Sequence, residues 1–124
     1  MSENIEITTD DRTVTIELAP CSLTSQFIDE LPFESRISTW GDEIYFPVPV
    51  EAETGSLTQD VSVGDVAFWH EGQSLAIFFG PTPKSDDGQP VPADDVEIVG
   101  EVTSGIDTLE DFRAGQSVTV KSGS

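Results

Sequence analysis

The sequence predicts a mainly β domain that closes, or nearly closes, into an antiparallel barrel with two short helices. Three observations carry this expectation. The apolar residues recur at every second position in many short runs, turn residues separate those runs, and only two segments show helical spacing instead. At 124 residues the chain is long enough for one core and too short for two ordinary ones. It therefore reads as a single domain over residues 1–124, with its ordered core over about 5–121 and frayed polar ends at Met1 to Asn4 and Ser122 to Ser124.

In chain order, Ile5 and Ile7, then Val14, Ile16 and Leu18, alternate with polar residues around Asp10-Asp11-Arg12, the pattern of a hairpin with one buried face. From Ser22 the spacing changes. Leu23, Phe27, Ile28 and Leu31 form one apolar stripe of a short helix, with Ser22 as N-cap and Pro32 as its stop. A strand is expected over Glu34 to Ser38, a turn at Trp40-Gly41-Asp42, and a stronger strand from Glu43 to Val50. In that strand Ile44, Phe46, Val48 and Val50 face the core, and Glu43, Tyr45, Pro47 and Pro49 face away. Pro47 and Pro49 cannot donate ladder hydrogen bonds, so its later part should lie at an edge or leave the sheet.

Val66 to Trp69 and Ser74 to Phe79 form a hairpin over His70-Glu71-Gly72-Gln73. Leu75, Ile77 and Phe79 share one of its faces, Ala76 and Phe78 the other. Val96, Ile98 and Val102 mark a further strand, Ile106, Leu109 and Phe112 a second short helix, and Ser117 to Lys121 a closing strand.

The chain carries 24 acidic against 5 basic residues, a formal charge of −19 distributed along its whole length. Disorder is the usual companion of such charge, but 36% hydrophobic residues in periodic runs specify a packed core. Molar salt shortens the Debye length to roughly 3 Å and removes most carboxylate repulsion, so a halophilic source is expected. Arg12, Arg36, Lys84, Arg113 and Lys121 make no basic footprint, which argues against nucleic acid and anionic membranes as partners. No signal-like or membrane-spanning run is present, and Cys21 stands alone; a cytoplasmic protein is expected.

Three segments carry a resemblance. Trp40 to Phe46 (Trp-Gly-Asp-Glu-Ile-Tyr-Phe), Gly64 to Trp69 (Gly-Asp-Val-Ala-Phe-Trp) and Ile77 to Pro83 (Ile-Phe-Phe-Gly-Pro-Thr-Pro) are similar to a prokaryotic family of small cyclophilin-like proteins, over roughly Ile5 to Val120. The resemblance implies an eight-stranded closed antiparallel barrel of cyclophilin type with a helix at each end. It names no activity. Cyclophilins that isomerise prolyl bonds depend on an arginine in a Phe-His-Arg strand motif, together with a glutamine and aromatic residues. Here the comparable strand, Tyr45-Phe46-Pro47, offers no cation, and Arg36 sits in another context. Efficient isomerase activity is not implied, and no catalytic residue carries over.

The candidate site gathers on the outer wall of the barrel. Glu43 and Tyr45 share that face, and a cover formed by the Gly80 to Asp95 loop would enclose a carboxyl and a phenol in one cleft; the plainer alternative is a solvated glutamate beside a half-buried tyrosine. Trp40, Phe68, Trp69, Phe78 and Phe79 supply rings to both faces of the sheet, so at least one should line an outer groove suited to a prolyl or other apolar ligand. The loop holds Pro81, Pro83, Pro90 and Pro92 and exceeds the usual loop length. Thr82 and Ser85 within it either offer hydroxyls to a ligand or build a rigid turn.

The expected ligand-binding set is Trp40, Glu43, Tyr45, Trp69, Phe78, Thr82 and Pro83, for a small molecule or proline-containing peptide. No cofactor and no metal is expected: Asp10-Asp11, Asp86-Asp87 and Asp94-Asp95 lack calcium-loop spacing, and His70 sits alone at a hairpin turn where exposure is the rule. The competing expectation is an enzyme, either a weak prolyl isomerase or an acid/base catalyst using Glu43 and Tyr45.

Overall fold

The computed structural model describes residues 3–9, 12–19, 22–50, 57–85 and 88–123. Strands β1 (Glu3–Thr9) and β2 (Arg12–Leu18) form the first hairpin, in a register that sets Ile5 against Ile16 and Ile7 against Val14. All four of those side chains are buried, as the alternation requires. Helix α1 (Ser22–Glu30) buries Phe27 and packs Ile28 against the same core, as does Leu31 just beyond its end. The Ser22 cap and the Leu23 contact lie outside the described side chains, and Asp10, Asp11, Cys21, Asp86 and Asp87 lie outside the described residues.

The expected strand over Glu34 to Ser38 is two strands, β3 (Phe33–Arg36) and β4 (Ser38–Thr39), separated by the buried Ile37. Strand β5 (Glu43–Pro47) ends where the prolines begin, although Val48 and Val50 remain buried beyond it. The second hairpin joins β6 (Asp65–Trp69) to β7 (Ser74–Phe78), and β8 (Glu97–Ser104) and β9 (Ser117–Ser122) complete the sheet. The spatial order is β3-β9-β1-β2-β8-β6-β7-β5-β4, antiparallel throughout.

The two ends of that order, β3 and β4, are consecutive in the chain. One bent segment thus pairs with β9 on one side and β5 on the other, which nearly closes the barrel. A hydrogen bond from Ser35 Oγ to the Pro47 carbonyl (2.6 Å) ties β3 to the end of β5 across the remaining gap. The nine strands become the expected eight when this bent segment is counted once.

Three local expectations need correction. Alternation over Val96, Ile98 and Val102 breaks at a register shift opposite Val66 and Ala67, which turns Val99 inward and leaves Ile98 37% exposed. The second helix is a 3₁₀ helix (Ile106–Asp111), whose three-residue period suits the spacing of Ile106, Leu109 and Phe112. Of the residues expected to fray, Asn4 and Ser122 belong to β1 and β9, and Gly123 N–H donates to the Asn4 carbonyl at 2.9 Å.

The main core fills the barrel with Ile5, Val14, Ile16, Phe27, Phe46, Phe68, Leu75 and their neighbours. A second, smaller cluster of Val61, Ala67, Ala76, Phe78 and Val96 lies apart from it, on the other face of β6 and β7. No described helix is long and apolar enough to cross a membrane.

Candidate functional site

The second cluster exists because β5, β6 and β7 are covered on both sides. Ala67 and Ala76 pair across β6 and β7 at its centre, and their small side chains leave room for the larger rings of Tyr45 and Trp69, which pack against the same cluster. Tyr45 and Trp69 meet edge to face with centroids 5.9 Å apart. Gly72 makes the position of Trp69 possible, since a Cβ at that turn residue would fall 2.3 Å from the indole ring.

The cover is formed by residues 80–85 and 88–96. Its far end is held by paired backbone hydrogen bonds between Thr58 and Val96 (2.8 and 2.9 Å), and by Gln59 Nε2 donating to Asp95 Oδ1 at 2.7 Å. Trp69 Nε1–H donates to Asp94 Oδ2 at 3.1 Å, which fastens the loop to the hairpin. The near end rests on the Trp40 to Asp42 turn. Asp42 N–H donates to the Pro81 carbonyl at 2.9 Å, and Gly41, at φ +62°, lies so close to the loop that a Cβ there would meet Pro83 Cδ at 2.8 Å.

Between this loop and the sheet lies a cleft of about 170 Å³, lined by Trp40, Glu43, Tyr45, Trp69, Pro92, Ala93, Asp94 and Val96. Glu43 is its unusual member. It is 8% exposed, opposite Phe78 on β7, and its carboxyl receives no hydrogen bond from any described residue. Burial pushes that carboxyl up from the usual 4.5 to about 7. A carboxyl so placed can accept a proton, donate one, or meet a charge brought by a ligand.

Of the seven residues expected from the sequence, Trp40, Glu43, Tyr45 and Trp69 line this cleft, while Phe78, Thr82 and Pro83 do not. Phe78 is fully buried beneath it in the second cluster. Thr82 holds the loop's own shape. Its hydroxyl donates to the Val91 carbonyl at 2.6 Å, and its N–H donates to Ser85 Oγ at 2.8 Å, while Ser85 Oγ donates to the Gln89 carbonyl at 2.5 Å. The rigid-turn alternative describes Thr82 and Ser85; Pro83 is exposed and lies beside Gly41.

Pro92, Ala93, Asp94 and Val96 are the lining residues that spacing did not single out. The sequence marks their loop as long and rich in proline, but its return onto the outer wall is a tertiary fact. His70 also departs from expectation. Rather than standing in solvent, it is half-buried, 3.0 Å from Glu97 Oε1 and edge-on to Phe68. No cluster of three or more metal-ligating side chains occurs among the described residues.

A family model described as cyclophilin-like matches residues 3–121. Among solved structures, the chain is similar to a hypothetical protein from Archaeoglobus fulgidus, determined in solution. The two share 32% identity and a TM-score of 0.84, over 98% of this chain and 95% of that one. None of the curated proteins matches this sequence.

Proposed function

The chain belongs to the cyclophilin-like family, and on that premise we propose that it is a binding module whose ligand, a small molecule or one side chain of a peptide, enters the cleft beside Glu43. The observation that carries this reading is a carboxyl, buried over most of its residue and without a hydrogen-bond partner among the described residues, that faces an aromatic pocket. Such a group costs stability unless something bound there answers it, so its retention favours a ligand.

Pocket size narrows the occupant. An apolar cavity of about 150 Å³ holds one benzene, so a cleft of about 170 Å³ accepts one ring-sized group and not an extended chain. Electrostatics disfavours efficient prolyl isomerisation, because no lysine or arginine lines the cleft. Arg36 instead donates from Nη1 to the Gly115 carbonyl at 2.9 Å, and Arg12 pairs with Asp111 at 3.3 Å.

A heteronuclear NMR screen with small neutral and charged fragments tests the reading. Shifts should gather on Trp40, Glu43, Tyr45, Trp69 and Asp94, and shifts scattered over the rest of the barrel would reject the site. One observation favours a second reading as an acid/base catalyst. Glu43 titrates near neutrality, where proton transfer is most efficient. Exchange of a proline peptide faster than in buffer, and lost in Glu43→Gln or Tyr45→Phe, would support the catalytic version.

A further inference from the structure

Resting on the binding reading above, we infer that the cleft takes a small methylated ammonium group, enclosed by the rings of Trp40, Tyr45 and Trp69 and neutralised by the Glu43 carboxylate. Aromatic faces attract cations through the ring quadrupole, most strongly where water is displaced, and three of the residues lining this small cleft are aromatic. The charged residues lining it are Glu43 and Asp94, both acidic, in a chain of net charge −19. An anionic ligand would enter against all of this charge.

The type of cation follows from what the cleft lacks. Bare metal cations and primary ammonium groups need a shell of oxygen acceptors. Here the lining side chains offer the Glu43 carboxyl, the Asp94 carboxyl, whose Oδ2 already accepts the Trp69 indole N–H, and the Tyr45 hydroxyl, on walls otherwise made of indole rings, proline, alanine and valine. A fully methylated ammonium carries no N–H to satisfy, and its methyl groups suit apolar walls. The volume matches one such headgroup, with the rest of its molecule leaving through the open side.

A cation would also remove the cost of ionising Glu43, which burial holds as the acid up to about pH 7. The other titratable groups at the cleft are Tyr45 on the same strand and Asp94 on the loop, while Phe78, Trp40 and Pro92 present no charge. Binding should therefore expel a proton from Glu43, and affinity should climb about tenfold per pH unit below neutrality before levelling off.

The test titrates the labelled protein with tetramethylammonium chloride, with choline chloride, and with the neutral isostere of choline in which carbon replaces the quaternary nitrogen. Sodium chloride holds ionic strength constant, and the indole N–H signals of Trp40 and Trp69 are read. The expected result is choline binding about tenfold or more tighter than the isostere, with a comparable loss in Glu43→Gln. An isostere that binds as tightly as choline overturns the cation assignment and leaves the binding reading standing. Silence of both indoles toward all three probes also overturns it, and the fragment screen then decides the binding reading separately.

Discussion

On the inner side of β5, β6 and β7, Ile44, Phe46, Val66, Phe68, Leu75 and Ile77 meet the apolar groups of the barrel core. On the outer side the same strands present Glu43, Tyr45, Ala67, Trp69, Ala76 and Phe78 to a loop. Both sides are buried over most of their area, and among the described residues the outer one carries a cleft and a carboxyl. The barrel wall curves around its own interior, so facing strands fill that space from every direction. A loop fixed at a few points by hydrogen bonds cannot match the outer wall as closely. Packing without gaps gives stability, and packing with one gap gives a place for a ligand.

The largest effects should come from cutting into either cluster. Phe46→Ala in the barrel should cost about 4 kcal/mol and Phe78→Ala in the outer cluster about 3 kcal/mol, read from denaturant unfolding. A loss below about 1 kcal/mol for Phe78→Ala would mean the outer cluster is loosely packed and the comparison fails.

Glu43→Gln should act in the opposite direction. The folded protein holds the Glu43 proton more tightly than the unfolded chain does. The stability linked to that proton is present in full below pH about 4.5, falls as pH rises, and is lost above about 7. The variant should therefore match the parent near pH 4 and exceed it by about 2 to 3 kcal/mol at pH 8. Because desolvation is the cause, the gain should survive in molar KCl. Repulsion among surface carboxylates, by contrast, fades there, and both proteins should melt higher as salt rises if the acidity is a halophilic adaptation. A gain that disappears with salt would reassign Glu43 to that surface repulsion.

Thr82→Val should have a smaller effect, about 1 to 2 kcal/mol, by breaking the hydroxyl bond to Val91 inside the loop. Gly41→Ala should cost about 1 kcal/mol from its left-handed backbone and more from its new methyl, which would meet Pro83 Cδ at 2.8 Å and the Thr82 backbone at 2.9 Å. Both should alter Trp69 fluorescence through the loop, whereas Phe46→Ala, at full occupancy of the folded state, should not.

Much of this molecule can be read from short stretches of its chain. The alternation of Ile5, Ile7, Val14 and Ile16, the helical stripe through Phe27, and the prolines that end β5 are each local signals, because period and backbone chemistry act within a few residues. Glu43 and Tyr45 are legible as outward-facing for the same reason. Ile98 and Val99 mark the limit: a register shift against β6 reverses which of them is inside, and the local signal for it is Gly100, a glycine within the strand that sits at the shift.

Periodicity along the chain specified the barrel, the succession of its strands and helices, and the face on which Glu43 and Tyr45 lie, since the alternation of side chains follows from the backbone; it did not specify which ring would line the groove. Long-range packing settled that Pro92, Ala93 and Asp94 return across that face, that Phe78 lies beneath the cleft, and that Thr82 turns its hydroxyl to its own loop. Those outcomes depend on contacts between segments far apart in the chain, where the competition among partners is settled by packing and hydrogen bonding rather than by spacing.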